Sequence, residues 1–195
     1  MFRILTLVVF VGCTLAADFN SGMEKFRNRD YDGAAQEMRA VLESEPDNTE
    51  AKRVLGLSLV RQGKTDEAIG VLEGARESGA DLQLALAAAY AGNKRYDDAE
   101  RTIAAAAEAK GDHEELPFYR GMVKVLKKQY RDSVGDLEAA IEKNPENAYA
   151  YYYAGLAYSN TKRPDKMMNA FNNFLKLEPN APESAKVRSF MRSSR

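Results

Sequence analysis

Apolar residues along most of this chain recur at steps of three and four, and polar turns interrupt them at regular intervals. From Glu50 to Gln62 they fall at Val54, Leu55, Leu57, Leu59 and Val60. Gly63-Lys64 breaks the pattern, and Asp66 to Glu77 resumes it with Ala68, Ile69, Val71, Leu72 and Ala75. Such spacing gathers the side chains on one broad face of a helix. No stretch shows the sustained alternation of a strand, so the pattern predicts an all-α chain built from pairs of helices.

The pairs repeat. The phrase RDYDGAAQEMRAVLESEPDN, Arg29 to Asn48, returns four more times in altered form, and its anchors Tyr31, Thr65, Tyr96, Tyr130 and Pro164 stand 34, 31, 34 and 34 residues apart. A fixed period of this kind means stacked units that share one continuous core. Small residues keep the same register: Gly22, Gly56, Ala87, Gly121 and Gly155 in the first helices, and Ala34, Ala68, Ala99 and Ser133 in the second. A glycine costs a helix interior about 1 kcal/mol relative to alanine, so its recurrence predicts close approach of two backbones.

These residues resemble the tetratricopeptide repeat family, in particular small exported bacterial members. Leu55-Gly56, Ala154-Gly155 with Tyr158, and Tyr31-x-x-Ala34-x-x-x-Met38 followed by Pro46 match the family pattern. So do Tyr96 with Ala99, Ile103 and Ala106, and Tyr130 with Leu137, Ala140 and Pro145. The resemblance covers roughly Asp18 to Asn180. It implies a right-handed superhelical solenoid of about five helix–turn–helix repeats with a C-terminal capping helix.

Departures from the pattern carry their own expectations. Pro117 fits only if its helix begins near Glu115 or Leu116, because proline lacks the donor an interior turn needs. The three-residue deficit predicts an irregular join near Ser78 to Asp81, and Met167, replacing a small residue, predicts a looser last hairpin. Asn180-Ala-Pro182-Glu183 reads as a helix start, giving a cap over about 181–193 with Ala185, Val187, Phe190 and Met191 inward. The array itself is expected over 17–195.

The first residues break from this pattern. Met1-Phe-Arg3 is basic, Ile4 to Val11 is continuously apolar and Thr14-Leu15-Ala16 is small, the form of a secretory signal peptide over 1–16. The apolar run falls short of the roughly 20 residues that span a bilayer, and the expected mature chain has no transmembrane segment. Val11-Gly12-Cys13 also resembles a bacterial lipoprotein box, with Phe10 where Leu is usual. Lipidation of Cys13, giving an envelope-anchored protein, is therefore the alternative to a periplasmic or secreted one. Cleavage removes Arg3 and no acid, moving the net charge from −1 to −2.

Composition narrows the chemistry. One histidine, His113, leaves no His-His metal pair and no Ser-His-Asp set, so no catalytic, cofactor or metal site is expected. His113 itself reads as solvated or capping a helix. Asp97-Asp98 and Glu114-Glu115 fall at helix starts, where the dipole favours negative charge. Lys124, Lys127, Lys128 and Arg131 form only a local basic cluster in an acidic chain, which argues against nucleic acid.

Binding is what remains. The resemblance implies a concave groove lined by the first helices. Its steps map onto Phe19, Met23, Arg53, Leu57, Arg61, Leu84, Ala88, Phe118, Met122, Val125, Tyr149, Tyr152 and Leu156. Phe118, Met122 and Val125 follow i, i+4, i+7 and Tyr149, Tyr152 and Leu156 follow i, i+3, i+7, so each set shares a helix face. Where some family members clamp a peptide carboxylate, this chain has Phe19, Met23, Glu50 and Val54, and no such clamp is expected. The expected function is a non-enzymatic adaptor, exported across a membrane, that holds a protein or peptide segment in this groove. An envelope-assembly or oligomer-building subunit is the alternative.

Overall fold

A computed structural model describes residues 18–74 and 79–193. Those residues form eleven helices and no strand. Ten of them pair into five hairpins: α1 (Phe19–Arg27) with α2 (Tyr31–Ser44), α3 (Thr49–Arg61) with α4 (Thr65–Glu73), α5 (Ala80–Gly92) with α6 (Tyr96–Ala109), α7 (Leu116–Leu126) with α8 (Tyr130–Lys143), and α9 (Ala148–Asn160) with α10 (Pro164–Leu177). A last helix, α11 (Ser184–Ser193), packs on α10. The expected signal segment 1–16 and Cys13 lie outside the described residues.

One local device makes every hairpin. Arg29, Gly63, Lys94, Lys128 and Lys162 hold equivalent turn positions with φ of 64°, 76°, 63°, 64° and 58°. The N–H of the next residue returns to a carbonyl five positions back, as Asp30 to Lys25 at 2.9 Å and Gln129 to Lys124 at 2.8 Å. This left-handed turn satisfies carbonyls that the helix end would otherwise leave orphaned.

The small residues do what their register predicted. A Cβ on Gly56 would stand 2.5 Å from Leu72, and one on Gly121 would stand 2.6 Å from Leu137. Gly22 faces Met38 and Gly155 faces Phe171 in the same way, each sixteen residues on. Ala34, Ala68, Ala99 and Ser133 are fully buried. Met167 is also buried, and the close approach of Gly155 to Phe171 persists beside it, so the looser last hairpin is not found. The unbranched thioether bends to fit the space a methyl fills elsewhere.

The short period has a plain cause. Glu45 is followed by Pro46, Asp47 and Asn48 before α3, whereas Gly79, its equivalent, is followed at once by α5. The lost residues include the cap: Asn48 Oδ1 accepts from the Ala51 N–H at 2.9 Å, and α5 has no side-chain cap. Gly79 takes φ 112°, a conformation open to glycine. The join thus falls at Gly79–Ala80; Ser78 lies outside the described residues. As expected, α7 begins at Leu116, with Pro117 in its first turn where no donor is needed.

The C-terminal helix needs correction. It starts at Ser184, not near 181, because residues 180–183 form a turn and the Ser184 hydroxyl donates to the Glu178 carbonyl at 2.6 Å. Val187 and Met191 point inward, while Ala185 is exposed and Phe190, edge-on to Phe171, is 40% exposed.

What positions the site is α5. Ala85, Ala87, Ala88, Ala89 and Ala91 are all buried in it, beside the larger Leu82, Leu84, Leu86 and Tyr90. The array curls around this inner helix, which packs on α3, α4, α6 and α7. The curl carries Arg61 of α3 over the Tyr149 ring of α9, 3.8 Å from its centroid. It also brings the first turn to the end of the fifth hairpin: Arg29 donates to the Leu177 carbonyl at 2.9 Å and pairs with the Glu178 carboxylate. The array is closed on itself.

Candidate functional site

The concave side of this closed array is a hollow with two connected parts. The smaller, about 230 Å³, is walled by Leu57 and Arg61 from α3, Phe118 and Met122 from α7, and Tyr153 from α9. The larger, about 630 Å³, runs from Arg61, Tyr149 and Tyr153 to the first turn (Arg29, Tyr31) and the segment 178–183. Val60, Arg61, Gly92 and Tyr153 line both. Two periods explain the wall: Leu57 and Arg61, like Tyr149 and Tyr153, are four apart and so share one helix face.

Arg61 is the centre of the electrostatics. Its side chain is exposed to the hollow, and among the described residues no carboxylate forms an ion pair with it. Its guanidinium stacks on Tyr149, an arrangement favoured by the ring's electron-rich face. Burial pushes the phenols of Tyr31 and Tyr149 up, and that of Tyr153 to about 12, with Arg61 opposing in each case. These hydroxyls therefore stay protonated at neutral pH and act as donors around one fixed positive charge. The Tyr149 hydroxyl donates to Glu183 Oε2 at 3.1 Å.

The nine residues expected to bind do not form one surface. Leu57, Arg61, Phe118, Met122 and Tyr149 meet in the hollow. Tyr152 and Leu156 face a separate groove of about 420 Å³ between α9 and α11, with Phe171, Val187 and Phe190. Arg53 is tied to Glu50 through two hydrogen bonds of 2.9 and 2.5 Å. Val125 sits in the core with Leu137 and Ala154 and lines neither cavity. Phe118, Met122, Val125 and Tyr149 are buried, so they are walls and not open anchors. The curl over α5 is the reason.

Arg29, Tyr31, Tyr153, Glu178 and Glu183 also line the larger cavity, and the sequence reading missed them. Tyr153 was within reach, four residues after Tyr149 on the same face. The others depend on closure between sequence-distant units, which no local pattern encodes.

His113 is buried, not solvated, and ties two units together. Its Nδ1 accepts from the Glu115 N–H at 3.2 Å, which places the proton on Nε2 to donate to Asp81 Oδ1 at 3.0 Å. The capping role expected of it is not found, since α7 starts from Glu115 with no side-chain cap and His113 bonds only the Glu115 N–H ahead of it. Asp81, His113 and Glu115 also offer ligand atoms within 4.8 Å of one another. Both ring nitrogens are already engaged, however, and a metal at Nε2 would leave the ring with no proton while Nδ1 still accepts. That donor set fits a hydrogen-bonded tie and not a metal ligand. Elsewhere, Lys124 pairs with Asp136 at 2.6 Å and Lys127 with Glu100 at 2.8 Å, so two of the four residues of the basic cluster are matched by acids. No helix of the described residues is long and apolar enough to cross a membrane.

Three sequence models of the tetratricopeptide repeat match residues 19–81, 59–116 and 137–168. No curated protein matches the chain. Among solved structures, TTC0263, a thermophilic repeat protein of Thermus thermophilus, aligns with TM-score 0.72 at 17% identity, covering 90% of this chain and 96% of that one. MamA from residue 41 onward, of Desulfovibrio magneticus RS-1, aligns with TM-score 0.55 at 24% identity over 76% and 84%. YrrB, described as a repeat protein with an unusual peptide-binding site, aligns with TM-score 0.51 at 18% identity over 88% and 90%. At such identities the likeness is one of fold.

Proposed function

Since the chain belongs to the tetratricopeptide repeat family, whose members are protein-interaction scaffolds, we propose that it is a non-enzymatic adaptor holding a peptide segment of its partner in the concave hollow. One observation carries this reading. Arg61, without a carboxylate of its own among the described residues, stands among protonated tyrosines in a hollow of about 630 Å³. A cation with hydroxyl donors and aromatic walls is a recognition surface, since Arg and Tyr combine large contact area with directional polar groups. A packing role alone would not require an arginine there.

The basic, apolar and small residues of Met1 to Ala16 support export as part of the same proposal. The experiment uses the full chain, expressed with its own N-terminus, and Arg61→Ala beside it. Both are recovered from the exported fraction after crosslinking to their partners. The expected result is a partner recovered by the wild type and reduced about tenfold or more in the variant, a loss of about 1.4 kcal/mol or more. Melting should change little, because a partly exposed cation–π contact is worth about 0.5–1 kcal/mol. Equal recovery with both proteins removes Arg61 from the site, and a chain confined to the producing compartment removes export.

A further inference from the structure

One side of the hollow is lined by a piece of the chain that leaves the last hairpin. Residues 178–183, Glu-Pro-Asn-Ala-Pro-Glu, run from α10 to α11 and line the larger cavity. Arg29 grips their start, through the Leu177 carbonyl at 2.9 Å and the Glu178 carboxylate. Tyr149 holds their end through Glu183 at 3.1 Å. The charge of Glu183 also helps hold the phenols of Tyr31, Tyr152 and Tyr153 protonated, after burial as the main cause.

The division of charge is the telling point. Among the described residues, every carboxylate lining the two connected cavities comes from this strap, Glu178 and Glu183. Every cation, Arg29, Arg61 and Lys94, comes from the wall. Take the strap away and the hollow is cationic and aromatic, and charge complementarity then selects an acidic ligand. Two prolines, Pro179 and Pro182, restrict the strap's backbone and leave it no N–H at those positions to commit to helix. Behind, α11 holds the strap by its backbone alone, the Ser184 hydroxyl donating to the Glu178 carbonyl at 2.6 Å and Arg188 to the Pro179 carbonyl at 2.8 Å, and neither tie engages the strap's carboxylates.

We propose that residues 178–183 are an internal occupant of the concave site, and that the external ligand is an extended acidic peptide that displaces them. The proposal rests on the adaptor reading and specifies both the ligand class and its regulation. Closure lowers the apparent affinity by the fraction of molecules with the strap released, so weakening the strap raises affinity without any new contact.

The test uses the full chain and two fluorescein-labelled peptides, the acidic LEPNAPE of residues 177–183 and its neutral counterpart LQPNAPQ. Glu178→Gln with Glu183→Gln removes the strap's charges and leaves the wall intact. Fluorescence anisotropy should show LEPNAPE binding at least tenfold tighter to this double variant than to the wild type. Arg61→Gln added to it should abolish that gain, and LQPNAPQ should bind neither protein. Amide exchange at Asn180, Ala181 and Glu183 should quicken in the double variant. If exchange quickens but LEPNAPE binds no tighter, the strap is a strut and the proposal falls, while partner capture by the wild type judges the adaptor reading separately. Equal binding of the two peptides overturns the acidic class. Light scattering that shows the double variant to be a dimer assigns the site to a second copy and overturns the proposal as well.

Discussion

At the scale of single residues, the hairpin turns store strain that the sequence does not advertise. Lys128 holds a φ of 64° while its counterpart Gly63 holds 76° with nothing near its absent Cβ. A non-glycine residue there costs about 1–2 kcal/mol, partly offset in glycine by its greater freedom when unfolded. Lys128→Gly should therefore stabilise the chain by about 0.5 kcal/mol, and Gly63→Ala should destabilise it by about 1 kcal/mol. Urea unfolding of both variants checks the pair; shifts of the same sign would remove the strain argument. The small residues were legible in the sequence because five of them keep register. The turn conformation was not, because Arg and Lys at four of the five turns hide a geometry that glycine would have announced.

At the scale of helices, the depth of packing is set by pairs sixteen residues apart, such as Gly155 with Phe171 and Gly121 with Leu137. Each glycine admits the partner's side chain against the helix backbone. Gly155→Leu should overpack the α9–α10 contact and destabilise by roughly 1–3 kcal/mol, read as a lower melting temperature. An unchanged melt would mean that Phe171 has another place to go. Helix number, order and pairing follow from the apolar period and the turn residues; α3 lies within a residue of the expected Glu50 to Gln62, whereas α4 ends at Glu73, short of the expected Glu77. The start of α11 was displaced because Asn180 and Pro182 look like a cap and a first turn. The strap's ties to Arg29 of the first turn and to Tyr149, with the Ser184 bond to the Glu178 carbonyl, accompany a turn there in place of helix.

At the scale of the whole molecule, curvature decides which residues meet. A groove was expected from the first helices, and five of the nine expected residues do line it. Its closure was not legible, because it rests on contacts between sequence-distant units, Arg29 with Leu177 and Arg61 with Tyr149, and the join three residues short lies between them. That join is testable. Inserting Pro-Asp-Asn between Gly79 and Ala80 restores the 34-residue spacing and re-aims units three to five against the first two. The helical signal should persist while the Arg29–Glu178 and Arg61–Tyr149 contacts are lost, and small-angle scattering should report a larger radius of gyration. An unchanged radius would show that the join does not steer the curl.

The grip of Arg29 on Leu177 has one more consequence. Most stacked arrays resemble a tape that can be spliced at any mark, gaining or losing a unit while the rest stays as it was. This chain resembles a belt on its buckle. One more unit carries the tongue past the hole, and one fewer leaves it short, so the tally of five is fixed by the fastening.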